Sequence, residues 1–218
     1  MANQDPVRIT VLISGNGTNL QALIDAREDT LKNCSIVRVI SNRRIAHGLV
    51  RAKDASIPTH YLNLLPYKAK FSENARTEYD KDLAALVLAD KPDLVVCAGF
   101  MNILNDTFLD PLADAHVPII NLHPALPGQF NGAKAIERAQ KAWLEGKVEK
   151  TGIMIHHVIS EVDMGEPILV EEIPFIKGVD EDIKELEQRI HEKEHKLIVS
   201  GTRMVAEEIQ KRNINGVS

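Results

Sequence analysis

Asn121, Leu122, His123 and Pro124 close an apolar run that starts at Val117, and they bring an amide and an imidazole to one place. Alternation along a strand sends Asn121 and His123 to the same side, and Pro124, which has no ladder donor, stops the strand just beyond them. An amide that holds a carbonyl oxygen and an imidazole that moves a proton near neutral pH are the parts of an acyl-transfer site. An isolated Asn-x-His is also what a strand-end histidine bound to nearby backbone looks like, so other groups must decide between the two. Asp163, two residues before Gly165, is either a turn residue or a carboxylate that raises the pKa of His123 and keeps it cationic for work as an acid.

Two further stretches carry chemistry-bearing groups. Gly15-Asn16-Gly17-Thr18-Asn19 follows the β-rich run Arg8 to Ile13 and precedes Leu20, Leu23 and Ile24 at helical spacing, so two glycines and two short polar side chains stand at a helix start. Free N–H groups and the helix dipole favour an anion there, which makes phosphate the expected ligand. A plain tight turn with Thr18 or Asn19 as the helix N-cap fits the same residues equally well. A dinucleotide fingerprint needs a third glycine where Leu20 stands and an acid where Ser41-Asn42 ends the second β-rich run, and the Walker lysine is missing, which disfavours NAD binding and triphosphate hydrolysis. His191-Glu192-Lys193-Glu194-His195 matches the H-E-x-x-H zinc pattern on a helix, with the two histidines as ligands and Glu192 as base. That pattern is short, a third ligand is needed, and the surrounding Lys and Glu read as a solvated face. His156 and His157 are adjacent on a strand, face opposite sides and cannot chelate one ion together.

These groups need a frame that brings them to one edge. Arg8 to Ile13, Ser35 to Ser41, His60 to Leu62, Asp93 to Ala98 and the run ending at His123 read as strands. Helical patterns lie between them, over Leu20 to Ile24, around Leu49 to Ala52, and from about Ser72, where Tyr79, Leu83, Leu86, Val87 and Ala89 form an inner face. Strands alternating with helices imply right-handed crossovers and a mostly parallel sheet covered on both faces. Ligands bind such sheets beyond the carboxyl ends of the strands, where Ser14 to Asn19, Gly99 to Leu104 and Asn121 to Pro127 fall. Further on, Ala133 to Leu144 reads as a helix closing at Gly146, and Thr151 to Ile159 and Ile168 to Ile173 as an antiparallel pair. Asp180 to Arg212 reads as an amphipathic helix or helix pair. The expected architecture is α/β, with an antiparallel hairpin towards the carboxyl-terminal part and a single domain over residues 1–218.

With 218 residues and 44% apolar composition the chain can bury a continuous core, and it shows no linker, repeat or low-complexity tract. A net charge of −5, scattered Lys and Arg, and 4% aromatic residues argue against nucleic acid as a partner. The start, Met-Ala-Asn-Gln-Asp-Pro, is polar and acidic, and no window approaches a membrane span, so no membrane partner and a cytoplasmic location are expected. Cys34 and Cys97 lack metal spacing and read as packing residues.

Taken together, Leu12 to Ala22 (LISGNGTNLQA), Ala98-Gly-Phe-Met101, Asn121-Leu-His-Pro124 and Glu161-Val-Asp-Met-Gly165, in this order and spacing, closely resemble the phosphoribosylglycinamide formyltransferase family over residues 7 to about 200. The resemblance implies a Rossmann-like sheet with helices on both faces. It implies transfer of a formyl group from 10-formyltetrahydrofolate, used as a co-substrate, to the amine of glycinamide ribonucleotide in purine biosynthesis, with no metal. It assigns Asn121, His123 and Asp163 to catalysis and Gly17, Thr18, Asn19, His191 and Glu194 to the ribonucleotide, the first three to its phosphate. To the folate it assigns Arg76, Met101, Asn102, Ile103, Leu104, Asn121 and the loop Ile159, Ser160, Glu161, Val162 and Asp163, with Arg76 meeting the glutamate tail. Asn102 stands where that family commonly has Arg, Ser160-Glu-Val replaces Asp-Glu-Leu, and Ala125-Leu-Pro-Gly128 replaces Ser-Leu-Leu-Pro, while the three catalytic positions are intact.

The implied mechanism has a neutral amine attack the formyl carbon while Asn121 and a protonated His123 stabilise the oxyanion and Asp163 charges His123. A methionyl-tRNA formyltransferase-like enzyme is an alternative, expected to carry a further carboxyl-terminal domain with a basic surface, where this chain ends at Ser218. A zinc metallohydrolase using His191, Glu192 and His195 is a second, and a binding protein for phosphorylated ligands a third that leaves His123 and Asp163 without a task. A monomer or weak homodimer is expected.

Overall fold

The computed structural model describes residues 5–214; the first four residues of the polar start read above lie outside that range. The described strands are β1 (Val7–Ile13), β2 (Cys34–Ser41), β3 (Thr59–Tyr61), β4 (Leu94–Cys97), β5 (Ile119–His123), β6 (Lys150–His157) and β7 (Pro167–Pro174). They form one sheet in the order β3-β2-β1-β4-β5-β6-β7, parallel as far as β5 and antiparallel from β5 to β6 and from β6 to β7. This is the mixed α/β sheet that the alternating pattern predicts.

The sequence of β1 shows why both faces must be covered. Val7, Ile9, Val11 and Ile13 enter one apolar cluster and Leu12 enters the other, and all five are buried. The first cluster is filled by Leu20 and Leu23 of α1 (Thr18–Asp25), Ala52 of α2 (Gly48–Asp54), Ile136 of α6 (Ala135–Leu144) and Leu186, Ile190, Ile198 and Val205 of α7 (Ile183–Ile214). The second is filled by Leu64 and Tyr67 of α3 (Leu64–Phe71), Tyr79 and Leu83 of α4 (Ala75–Ala89) and Phe108 and Leu112 of α5 (Asp106–Asp114). Among the described residues no helix is long and apolar enough to cross a membrane.

Several elements differ from the sequence expectation. The last element is one helix of 32 residues, the first of the two forms expected, but it starts at Ile183 and not at Asp180. In α4, Ala89 is exposed and Ala84 takes the inward place. β6 ends at His157, two residues before Ile159, and α6 starts at Ala135, after Lys134 in the left-handed region at φ 58°. Two helices escaped the periodicity. α3 has no fully buried residue and so carries little apolar period; it is started by Asn63, whose side chain accepts from the Leu65 N–H at 3.1 Å. α5 contains Pro111, which reads as a breaker, yet Asn105 caps it by accepting from the Thr107 N–H at 3.1 Å, and Phe108 and Leu112 anchor it.

The connection from β6 to β7 folds back tightly on the end of β6. The His157 N–H donates to the Glu166 carbonyl at 3.0 Å, and a Cβ placed on Gly165 would lie 1.7 Å from the His157 carbonyl oxygen. Glycine is required here by close approach, and Asp163 two residues earlier sits in the left-handed region at φ 57°. Gly165→Ala should therefore cost more than about 2 kcal/mol in urea unfolding, because backbone must move. Gly146→Ala is the matched control: Gly146 has φ 70° with open space around it, so only the left-handed backbone is penalised, at about 1 kcal/mol. Equal losses in the two variants would contradict the close approach.

Candidate active site

The carboxyl ends of β1, β4 and β5 open on one cleft of about 780 Å³. Its first wall is the glycine loop. Gly17 has φ 75°, an added Cβ there would lie 2.6 Å from Gly48 Cα, and the Gly48 N–H donates to the Gly15 carbonyl at 3.2 Å. The loop is thus packed against the start of α2, and Arg51 holds it by donating to the Asn16 carbonyl at 2.9 Å. Gly17 itself is the N-cap of α1 and no side chain caps that helix, so the alternative of a plain turn with Thr18 or Asn19 as cap does not hold. The uncapped N–H groups of the first turn make this end suited to an anion.

Across from the loop stands α7. Glu194 is buried and accepts from Asn19 Nδ2 at 3.3 Å, with His191 one turn earlier on the cleft wall. Burial pushes the Glu194 carboxyl above its ordinary pKa, against the opposing influence of His191 and Asn19. Glu192 is exposed and is bonded by Gln188 of its own helix at 3.2 Å, so the two glutamates of the pentapeptide have opposite environments. Among the described residues no three His, Cys, Asp or Glu side chains come together to hold a metal ion.

The opposite end of the cleft is apolar. Met101 and Ile103 are 66% and 62% exposed, and together with Ile159 they present apolar side chains to water at the cleft, as a site for a flat apolar ligand would. Asn102, Leu104 and Val162 also line it. The Met101 N–H donates to Ser14 Oγ at 2.8 Å, which ties this loop to the glycine loop. Arg76, Ser160 and Glu161 do not line the cleft. Arg76 is paired through Nε with the fully buried Asp80 at 2.8 Å, while Ser160 and Glu161 are exposed and bonded to each other at 3.2 Å.

Between the two ends, four side chains converge. His123 Nδ1 lies 3.3 Å from Asp163 Oδ2, and Asn121 Nδ2 lies 3.4 Å from Asp163 Oδ1. The Gly132 N–H donates to Asp163 Oδ2 at 2.7 Å. The fourth is His156, which the sequence reading misses because it tests the His156-His157 pair only for shared chelation. β6 runs antiparallel beside β5 with Asn121 paired to His156, so His156 Nε2 lies 3.2 Å from Asn121 Nδ2 and 3.4 Å from Asp163 Oδ1. The signal lies in the register between β5 and β6, which the residues of β6 alone do not carry. His156 Nδ1 is 2.8 Å from the His157 carbonyl, which can only accept, so Nδ1 carries the proton and Nε2 accepts from Asn121. Asn121 thus spends its amide hydrogens on His156 and Asp163.

The charge on His123 differs from expectation. Burial pulls its pKa below the ordinary 6.5, and His156 and Arg138 act in the same direction, outweighing the upward pull of Asp163 and the Phe130 carbonyl 3.3 Å from Nε2. The expectation that Asp163 keeps His123 cationic fails because desolvation of a buried imidazolium exceeds one carboxylate's attraction. For Asp163, burial is the largest single influence and pulls upward, but the nearness of His156 and His123 and the hydrogen bond from the Gly132 N–H together hold the carboxyl below its ordinary value. The carboxylate is the stronger acceptor for the His123 Nδ1–H, which leaves Nε2 unprotonated beside the Phe130 carbonyl, an acceptor for Nε2 once it takes up a proton. A basic nitrogen backed by a carboxylate, with an amide beside it, can carry a proton between two nitrogens bonded in turn to one acyl carbon.

Comparison with known proteins gives this geometry a family. The formyl transferase family model matches residues 7–202. The phosphoribosylglycinamide formyltransferase of Schizosaccharomyces pombe is 48% identical over 200 residues, covering 90% of this chain and 96% of its own. That of Saccharomyces cerevisiae is 46% identical over 215 residues, covering 94% and 99%. The crystal structure of glycinamide ribonucleotide transformylase 1 from Symbiobacterium toebii superposes with a TM-score of 0.81 at 33% identity, over 94% of this chain and 90% of that one. With a family model that matches residues 7–202 and relatives that are 46% to 48% identical over 90% or more of its length, the chain belongs to the formyl transferase family.

Proposed function

We propose that this enzyme transfers the formyl group of 10-formyltetrahydrofolate to the amine of glycinamide ribonucleotide, as a single catalytic domain that acts in the cytoplasm as a monomer or weak homodimer. The observation that carries the reading is the placement of His123, Asp163 and Asn121 between an anion-binding loop and an apolar wall within one cleft. The phosphate sits on Gly17, Thr18 and Asn19 with His191 beside it, the ribose hydroxyls on Glu194, and the pterin against Met101 to Leu104, Ile159 and Val162. Arg76 would reach the folate tail only by leaving Asp80 in part.

His123 begins neutral, with Nδ1–H on Asp163. As the amine nitrogen bonds to the formyl carbon, the carbonyl electron pair moves to oxygen and Nε2 takes a proton from the amine. The imidazolium so formed stabilises the oxyanion, with Asp163 balancing its charge and Asn121 turning an N–H to the oxygen. The oxygen pair then returns, the C–N10 bond breaks, and N10 takes the proton from His123.

Mixing the protein with both substrates and following loss of the formyl donor tests the activity directly. His123→Ala and Asp163→Ala should each lower kcat by at least about 10²-fold, and the double variant should be little worse than the worse single, since the two act as a unit. Near-normal turnover in both single variants would overturn the mechanism.

Glu194→Ala should raise KM for the ribonucleotide more than it lowers kcat, at a binding cost on the order of 1–3 kcal/mol for the hydroxyls left unpaired. Glu192→Gln should be tolerated, as its exposure suggests. The reverse ranking would favour the zinc reading.

Stability should follow the same groups. Because the folded pKa of His123 lies below 6.5, the unfolded chain takes up a proton first as pH falls below about 6.5, and stability declines from there towards the folded value. The contribution of Asp163 is lost only lower, as pH falls through its depressed pKa. Replacing His123 with Asn should flatten the decline of the urea midpoint between about pH 7 and 5 relative to the parent; an unchanged decline would show that His123 is not held neutral.

A further inference from the structure

Arg138 is an exposed residue of α6 that lies outside the cleft, yet it reaches the backbone that closes it. Its Nη2 group donates to the Phe130 carbonyl, to the Asn131 carbonyl at 2.7 Å and to the Gly132 carbonyl at 3.4 Å, while Nε donates to the Lys134 carbonyl at 3.3 Å. Three consecutive carbonyls repel one another when they converge, and here left-handed backbone at Phe130 (φ 48°) and Gly132 (φ 81°) folds them towards one point. A phenylalanine in that region is strained and persists only where its surroundings over-determine it. A planar guanidinium, always charged and rich in donors, offsets the carbonyl repulsion and holds the turn.

The other side of this turn faces the proton machinery. The same Phe130 carbonyl lies 3.3 Å from His123 Nε2, and the Gly132 N–H is the closest donor to Asp163, at 2.7 Å. We propose that Arg138 is a positioning residue for formyl transfer, which gathers the carbonyls of residues 130–132 and so fixes the turn that orients His123 and holds Asp163 in place. It touches no reacting atom. The inference rests on the reading of His123 and Asp163 as the proton-transferring pair.

The groups facing that pair are His156 from β6, Asp163 and His123 themselves, and Arg138 from α6, with Lys134 and Glu137 further along the cleft wall. Loss of Arg138 removes a positive charge that disfavours the imidazolium and loosens the Gly132 N–H from Asp163, so both groups become easier to protonate.

The test sets Arg138→Ala and Arg138→Lys beside His123→Ala and Asp163→Ala, with steady-state kinetics on both substrates across pH and thermal midpoints for each. Arg138→Ala should keep its midpoint and change either KM less than about threefold, while kcat falls on the order of ten- to a hundredfold, the scale of a misplaced catalytic group. The acid limb of kcat/KM should move to higher pH. Arg138→Lys restores the charge but not the fork, so it should return the acid limb towards the parent while recovering kcat only in part. Unchanged kcat and acid limb in Arg138→Ala, with His123→Ala inactive, would overturn this inference alone. So would a kcat loss matched by lost folded protein with the acid limb unmoved. Activity retained in His123→Ala and Asp163→Ala would instead overturn the underlying reading of the pair.

Discussion

The carboxylate of Asp163, held out of water at the edge of the sheet, is the constraint on which the rest of the site depends. An ionised carboxylate removed from water costs roughly several kcal/mol unless donors replace the lost hydration. Its neighbours supply them: the Gly132 N–H, the Asn121 amide, and the ring of His123. Those donors come from β5 and from the turn before α6, with His156 of β6 holding the Asn121 amide, and only the fold-back permitted by Gly165 brings the carboxylate among them. The mixed sheet is thereby tied to function, because a parallel partner in place of β6 would not set His156 opposite Asn121.

Burial then decides the charge state on the other side of the pair. The desolvation that makes Asp163 demand donors also disfavours an imidazolium at His123, so the resting pair is carboxylate and neutral imidazole. Such a pair is poised to accept a proton and is stabilised on accepting it, which suits a reaction in which the proton is borrowed from one nitrogen and returned to another. The two ends of the cleft place those nitrogens. One is a helix start with uncapped N–H groups facing a buried glutamate, the other an apolar wall left facing water.

Much of this was legible in the residues, for identifiable reasons. Strong apolar runs with breakers at their ends located β1, β4 and β5, and the loops after them were correctly expected at one edge. α5 was hidden by Pro111, which local reasoning treats as a stop although an Asn cap and two buried anchors outweigh it. α3 was hidden because nothing on it is fully buried. His156 was hidden because its role depends on antiparallel register with β5, a long-range fact that alternation within β6 does not fix. The sign of the His123 shift was misjudged for a related reason: proximity to Asp163 could be guessed from the motif, but the depth of burial could not. Arg138 and Gly132 gave no signal, since their contacts run through backbone groups of a turn in left-handed conformation.

The most direct measurement is the titration of His123 itself, followed by NMR of ring-labelled histidine in the parent protein and in Asp163→Asn. The account predicts that His123 titrates below 6.5 in the parent and lower still once the carboxylate charge is removed. A ring that titrates above 6.5, or one that is indifferent to Asp163→Asn, would contradict a neutral imidazole held against a buried carboxylate.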